Sequence, residues 1–224
     1  MMAQRSVSRT APARRLEVDP ERIVAWVNGF GQRHGVLTWS SAQGSVALAA
    51  ADGATAVLEP FAAGAGSGPS GLEPLAGWVS PPTRLALILV RRGGYGVGRG
   101  QGPELVAHKV GTRYVQSRTA AGGWSQQRFA RRRNNQADAL VGSVIEHTRR
   151  VVLASPTDAL VVDGDKALVR AVLADPRLAP LAGLPRRELF DLPDPKLVVL
   201  KHALRRGRAV RIALCEPDAA VAAS

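Results

Sequence analysis

The sequence predicts an α/β (α+β) chain: a mixed sheet of about five or more strands flanked by helices, with a small N-terminal helix-hairpin extension. Three observations predict it. Strand-length apolar runs, "RLALILVRR" (84–92) and "ALVVDGD" (159–165), lie far apart in the chain. Between them the periodicity changes to that of a helix over residues 125–150. After residue 159 strand-like and helix-like segments alternate. Hydrophobic residues make up 46% and aromatics only 4%, so Ala, Val and Leu must fill the core.

Residues 1–18 are basic, small and polar with no apolar segment, which reads as a disordered basic arm and not a secretory signal. "DPERIVAWVNGFGQRHG" (19–35) opens on Asp-Pro, a helix start, and Ile23, Trp26, Val27 and Phe30 recur at helical spacing. "SVALAAADGATAVLEPF" (45–61) places Asp52-Gly53 between two apolar runs, the signal of a two-residue hairpin turn. Residues 19–61 are thus expected as a helix and β-hairpin, and 62–75, with "AAGAGSGPSG", as a flexible linker. Residues 76–218 form the main domain and 219–224 a tail. Within that domain, 84–92 and 94–100 read as strands joined at Gly93-Gly94, and 104–118 continues the meander. A helix follows over 125–150 with Ser125 as its N-cap, then strand 159–165, helix 166–175, strand 186–192, helix 194–207 and strand 208–216.

The chain carries a net charge of +12, and most of it is local: residues 84–150 carry +10, residues 1–83 are neutral and 151–224 carry +2. Such a concentration suits a polyanion better than general solubility. No amphipathic helix with a large apolar face accompanies it, so a membrane partner is not expected. The single cysteine, Cys215, excludes a disulfide within the chain and a thiolate zinc site. The four histidines are widely spaced, so no metal and no cofactor is expected. A reducing cytoplasm is the expected compartment.

The basic segment contains "RTAAGGWSQQRFARRR" (118–133), with five arginines in sixteen positions. Gly122-Gly123 allow a close backbone approach to a ligand. Arg128, Arg131, Arg132 and Arg133 crowd the start of the following helix, where the dipole prefers acids, so a bound polyanion would compensate. Arg118 extends the basic set, and Trp124 could stack on a base or fold back onto the domain. Gln126 and Gln127 are amides that orient water without titrating, or ordinary polar residues of a first turn. On a helix they point about 100° apart, so at most one faces a substrate.

"GGWSQQRFARRR" (122–133) resembles the glycine-glycine-glutamine loop and following helix of archaeal and eukaryotic class-1 peptide release factors. Gly122, Gly123, Ser125, Arg128, Phe129 and Arg131 match that pattern in register, while Trp124 stands where its glutamine would be. The looser Gly-x-x-Gln motif of release-factor-like peptidyl-tRNA hydrolases of ribosome quality control, including an actinobacterial branch, is satisfied by Gly123-Trp124-Ser125-Gln126. The element order from about 84 to 216 is also similar to the catalytic domain of those factors. The resemblance implies codon-independent cleavage of the ester between nascent chain and tRNA on stalled or split large ribosomal subunits. Gly122 and Gly123 would enter the peptidyl transferase centre and Gln126 would position water, with Gln127 in reserve. Trp124, Arg118, Arg128, Arg131, Arg132 and Arg133 would contact rRNA or peptidyl-tRNA. No counterpart of a stop-codon-reading domain is evident, and a monomer is expected off the ribosome.

Three rivals remain at this stage. One is a non-catalytic ribosome- or RNA-binding factor. Another is cleavage of the tRNA near its 3′ end. The last is a metal-dependent nuclease using Asp163 and Asp165 of "VVDGD", against which stands a simple turn with a helix cap. "GGYGVGRG" (93–100) lacks the Gly-Lys-Ser/Thr ending of a phosphate loop and reads as a hairpin.

Overall fold

The computed structural model describes residues 13–217 apart from 43, 62–67 and 113–123, with 42 and 124–134 described by their backbone alone. In chain order the elements begin β1 (Arg14–Val18), α1 (Ile23–His34), β2 (Leu37–Ala42), β3 (Ser45–Ala50), β4 (Thr55–Glu59), α2 (Leu75–Trp78), β5 (Arg84–Arg91), β6 (Gly94–Gln101) and β7 (Glu104–Thr112). They continue α3 (Trp124–Val151), β8 (Ala159–Gly164), α4 (Lys166–Leu173), α5 (Ala179–Ala182), β9 (Arg186–Glu188), α6 (Leu197–Arg208) and β10 (Val210–Cys215). They form two compact units, residues 1–81 with 209–224, and residues 82–208.

The first unit is built on an antiparallel five-stranded sheet in the order β1-β10-β4-β3-β2. Leu16, Ile212, Leu58 and Val46 stand in one row across four strands, on the face that buries the apolar side of α1. Ile23, Val27 and Phe30 recur at helical spacing, are wholly buried, and contribute about 1.5–3 kcal/mol each by leaving water. Pro20 opens a short 3-10 turn ahead of α1, as Asp-Pro predicts.

Several expectations change here. Residues 14–18, expected within a disordered arm, pair with β10. The helix-hairpin extension is a complete sheet, because β2 adds a strand and β10 returns to it from the far end of the chain. The hairpin at Asp52-Gly53 forms, but over three loop residues: Ala50 N–H donates to the Ala54 carbonyl at 2.8 Å, and Gly53 takes a φ of 92°. Asp52 Oδ1 accepts from the Ala54 N–H at 2.9 Å, and its Oδ2 faces His34 at 2.8 Å, tying the loop to the end of α1.

The second unit holds the mixed sheet, order β7-β6-β5-β8-β9, in which β5 pairs antiparallel with β6 and parallel with β8. β5 is apolar and wholly buried from Leu85 to Val90 because both faces are covered there. Ala86, Ile88 and Val90 face α3 and α4, in a core with Leu140, Val144, Val169 and Val172. On the opposite face, α6 rests its Leu200 and Leu204 on β6. Strand β9 ends at Glu188, short of the expected 192. Beyond it Phe190 takes a φ of 61°, which breaks the extended run and costs a non-glycine residue about 1–3 kcal/mol. Helix α3 starts at Trp124, so Ser125 lies inside it and is not its cap.

At the end of β8, Gly164 has a φ of 112°, and a Cβ there would lie 2.0 Å from the Val90 carbonyl oxygen. The next residue, Asp165, donates its N–H to that same oxygen at 2.7 Å, so neither side can give way. Gly164→Ala is expected to lose about 3 kcal/mol or more, read by urea unfolding. A loss within ~0.5 kcal/mol, the range of neutral surface changes, would contradict this reading.

Candidate functional site

Thr112, the last residue of β7, pairs with Gly94, which pairs with Arg91 of β5. The neighbouring Val90 pairs with Gly164 of β8. The chain therefore leaves the sheet for the 113–123 segment at the end where the parallel strands β5 and β8 finish, the usual ligand side of an open α/β sheet. It returns as α3, whose 28 residues give a rod about 42 Å long. Among the described residues the helix is first fully buried at Leu140, and Val144 and Thr148 follow at four-residue steps. The 16 helical positions from Trp124 to residue 139 lie ahead of Leu140, a length of about 24 Å.

A stack of rings fixes the root of this helix. The Tyr95 ring lies 5.5 Å from that of His147, nearly parallel at 17°. A Cβ on Gly111 would come within 2.5 Å of the Tyr95 ring, so the last turn of β7 has room for that ring only as glycine. Burial, then the nearby Lys109 and Arg150, hold His147 below its ordinary pKa of 6.5. Glu146 is ion-paired with Arg150 at 3.0 Å and Arg149 at 3.4 Å, and its carboxyl is held below the usual range, chiefly by Arg150. Both arginines sit in the last turn of α3, where the dipole favours cations.

Of the sequence candidates, Trp124, Gln126, Gln127, Arg128, Arg131, Arg132 and Arg133 fall in the first three turns of α3, described by backbone alone. Gly122, Gly123 and Arg118 lie outside the described residues. The described residues thus place the end of β7, the edge strand, where β5 and β8 finish, and α3, which carries Gln126, on one face of the sheet.

The acidic pair weighed for a nuclease has other work. Asp163 is wholly buried; its Oδ1 accepts from the Leu192 N–H at 3.1 Å and its Oδ2 faces the Arg91 guanidinium at 3.6 Å. Burial pushes its carboxyl up, against the Leu192 and Phe190 N–H groups and Arg91. Asp165 accepts from the Ala167 and Leu168 N–H groups at 2.9 and 3.3 Å and so caps α4. Among the described residues no group of three His, Cys, Asp or Glu could hold a metal ion.

The charge count by segment concealed a second basic surface. Lys196 to Arg208 holds five cations and no acid, and Lys201, His202 and Arg205 are exposed on α6. Acids elsewhere in 151–224 cancel them in the sum. Helical spacing of 201, 202 and 205 was the signal available.

The mixed sheet, with a strand ending at Thr112 and the chain resuming as the long helix α3, lies within the part of the chain that matches a release-factor family. Residues 83–213 match the family described as "Actinobacteria/chloroflexi VLRF1 release factor", and the chain belongs to that family. Among solved structures it is similar to the "Vms1 mitochondrial localization core" (12% identity, TM-score 0.44), covering 85% of this chain and 79% of that one. It is also similar to the archaeal translation termination factor aRF1 (15% identity, TM-score 0.42), covering 87% of this chain and 64% of that one. No curated protein matches. Membership gives the chain a release-factor-like role in translation. Among the described residues no helix is long and apolar enough to cross a membrane.

Because the fold holds His147 below its ordinary pKa, the unfolded chain takes up the proton first as pH falls, and the stability this group contributes declines below about pH 6.5. NMR titration is expected to give His147 a midpoint under 6.5, and Lys109→Gln to raise it. A midpoint at or above 6.5 would overturn the assignment.

Proposed function

We propose that the chain is a peptidyl-tRNA hydrolase acting on nascent chains held on stalled or split large ribosomal subunits, in the cytoplasm and without reading a codon. The observation that carries this is a Gly-x-x-Gln sequence, Gly123-Trp124-Ser125-Gln126, at the start of α3 in a chain of a release-factor family. Gln126 would hold a water against the ester carbonyl carbon through its amide, with Gln127 as the reserve candidate. Attack breaks the acyl–oxygen bond, leaving a peptide carboxylate and the tRNA 3′ hydroxyl. Gly122-Gly123 would give the backbone room at the reacting centre. Arg118, Arg128, Arg131, Arg132 and Arg133 would neutralise phosphates of rRNA or peptidyl-tRNA, and Trp124 would stack on a base.

Trp124 favours a second reading. It stands where release factors carry the glutamine of Gly-Gly-Gln, and a factor that had kept the basic helix but lost the chemistry could carry it. One experiment separates the two, as well as cleavage of the tRNA itself. Large subunits carrying peptidyl-tRNA are mixed with wild type, Gln126→Ala or Gln127→Ala; single-turnover release, binding and the integrity of the tRNA 3′ end are followed together. The expected result is free peptide with an intact tRNA end, a rate at least about 100-fold lower in Gln126→Ala, and unchanged binding. Binding without release by any form would leave a non-catalytic factor; a shortened tRNA would make it a nuclease.

A further inference from the structure

Helices α4 and α5 and strand β9 enclose an open groove of about 460 Å3. Its floor is apolar, made by Val169 and Leu173 of α4, Leu181 of α5, and Phe190. Lys166, Arg170 and Arg186 line it as cations, against the single acid Glu188. Along α4, Lys166 and Arg170 are four residues apart, as are Val169 and Leu173, so the helix shows a cationic row beside an apolar one. The loop that holds Phe190 is fixed from below by the buried Asp163, which accepts from the Leu192 N–H.

We propose that this groove docks an acidic amphipathic peptide segment of a protein partner. Its apolar side chains lie on Val169, Leu173, Leu181 and Phe190, and its carboxylates meet Lys166, Arg170 and Arg186. The eight residues of α4 span about 12 Å, enough for some two turns of a docked helix. An RNA strand fits the cations but not the floor. Its bases bind by stacking on aromatic faces, and the groove's one aromatic ring already has the Lys166 ammonium over one face, 4.9 Å from the centroid, while the rest of the floor is aliphatic. Glu188 sets the polarity of the site by repelling a carboxylate placed beside it. The contact is independent of any chemistry at Gln126.

The test is selection from a displayed library of random peptides of about three helical turns, ~11 residues, on the full chain. Selected peptides are expected to carry Asp or Glu beside Leu, Met or Phe at four-residue spacing. Their affinity is expected to fall at least about tenfold for the Arg170→Glu/Arg186→Glu double variant. It should fall similarly for Ala182→Trp, which obstructs the groove at an exposed position without changing its charge. Both variants should keep the wild-type melting temperature, and Gln126→Ala should bind as wild type does. The proposal is overturned if no binders emerge, if they lack acidic residues, or if they ignore both groove variants. It is also overturned if a single-stranded RNA of similar length displaces them and is itself lost with Ala182→Trp.

Discussion

Leu200 and Leu204 of α6 lie against the backbone of β6 because alternate residues of that strand are glycine. A Cβ would stand 3.1 Å from Leu200 at Gly96 and 2.5 Å from Leu204 at Gly100, and at Gly98 it would press on Leu105 at 2.9 Å. Each glycine costs about 0.5–1 kcal/mol relative to alanine in chain entropy, which the close seating of α6 offsets. The other face of β6 carries Tyr95 and Val97 toward α3, and Arg99, whose Nη1 donates to Ser155 Oγ at 2.6 Å beyond the end of α3. One strand thus sets the height of a helix on each face of the sheet. Its neighbour β7 then leads the chain on, through residues 113–123, to α3.

Helix α3 is held to the sheet near its C-terminal end: Leu140, Val144 and Thr148 are buried at four-residue steps and Val152 follows just past its last residue, while Gln126 lies nearly four turns before Leu140.

Much of the second unit was legible in the sequence. β5 and β8 are buried on both faces, and such strands read as continuous apolar runs. The 3.6-residue period of α3 is equally plain over 28 residues. What escaped was information that local pattern does not carry. β10 alternates buried and half-buried residues, the mark of an antiparallel strand with one covered face, yet its position after α6 suggested a place in the mixed sheet. β2 passed unread although Leu37 and Trp39 alternate with Thr38 and Ser40, because the alternation lasts only four residues before Ser41 breaks it. "VVDGD" could have been catalytic or structural, and only the buried carboxylate of Asp163 under the 190–192 backbone decides. Of the candidate site, the strand before it and the helix after it were legible, along with the residues of the family motif. The groove beside α4 was not, because its lining comes from α4, α5, β9 and Phe190, which only the tertiary fold brings together.

β10 sits between β1 and β4, and it is the one strand to which β1 is bonded. The whole mixed-sheet unit is thus an insertion between the fourth and fifth strands, in chain order, of the first sheet. During synthesis β2, β3 and β4 are made early, but the sheet cannot close until 150 further residues, 60–209, have been added. Until then β4 has β3 on one side but no partner on its outer edge, and β1 has no strand to pair with. A chain broken off anywhere before residue 210 leaves this unit with an open edge, the kind of surface that draws in other strands. The first sheet thus waits on a strand that is made only after the whole mixed-sheet unit.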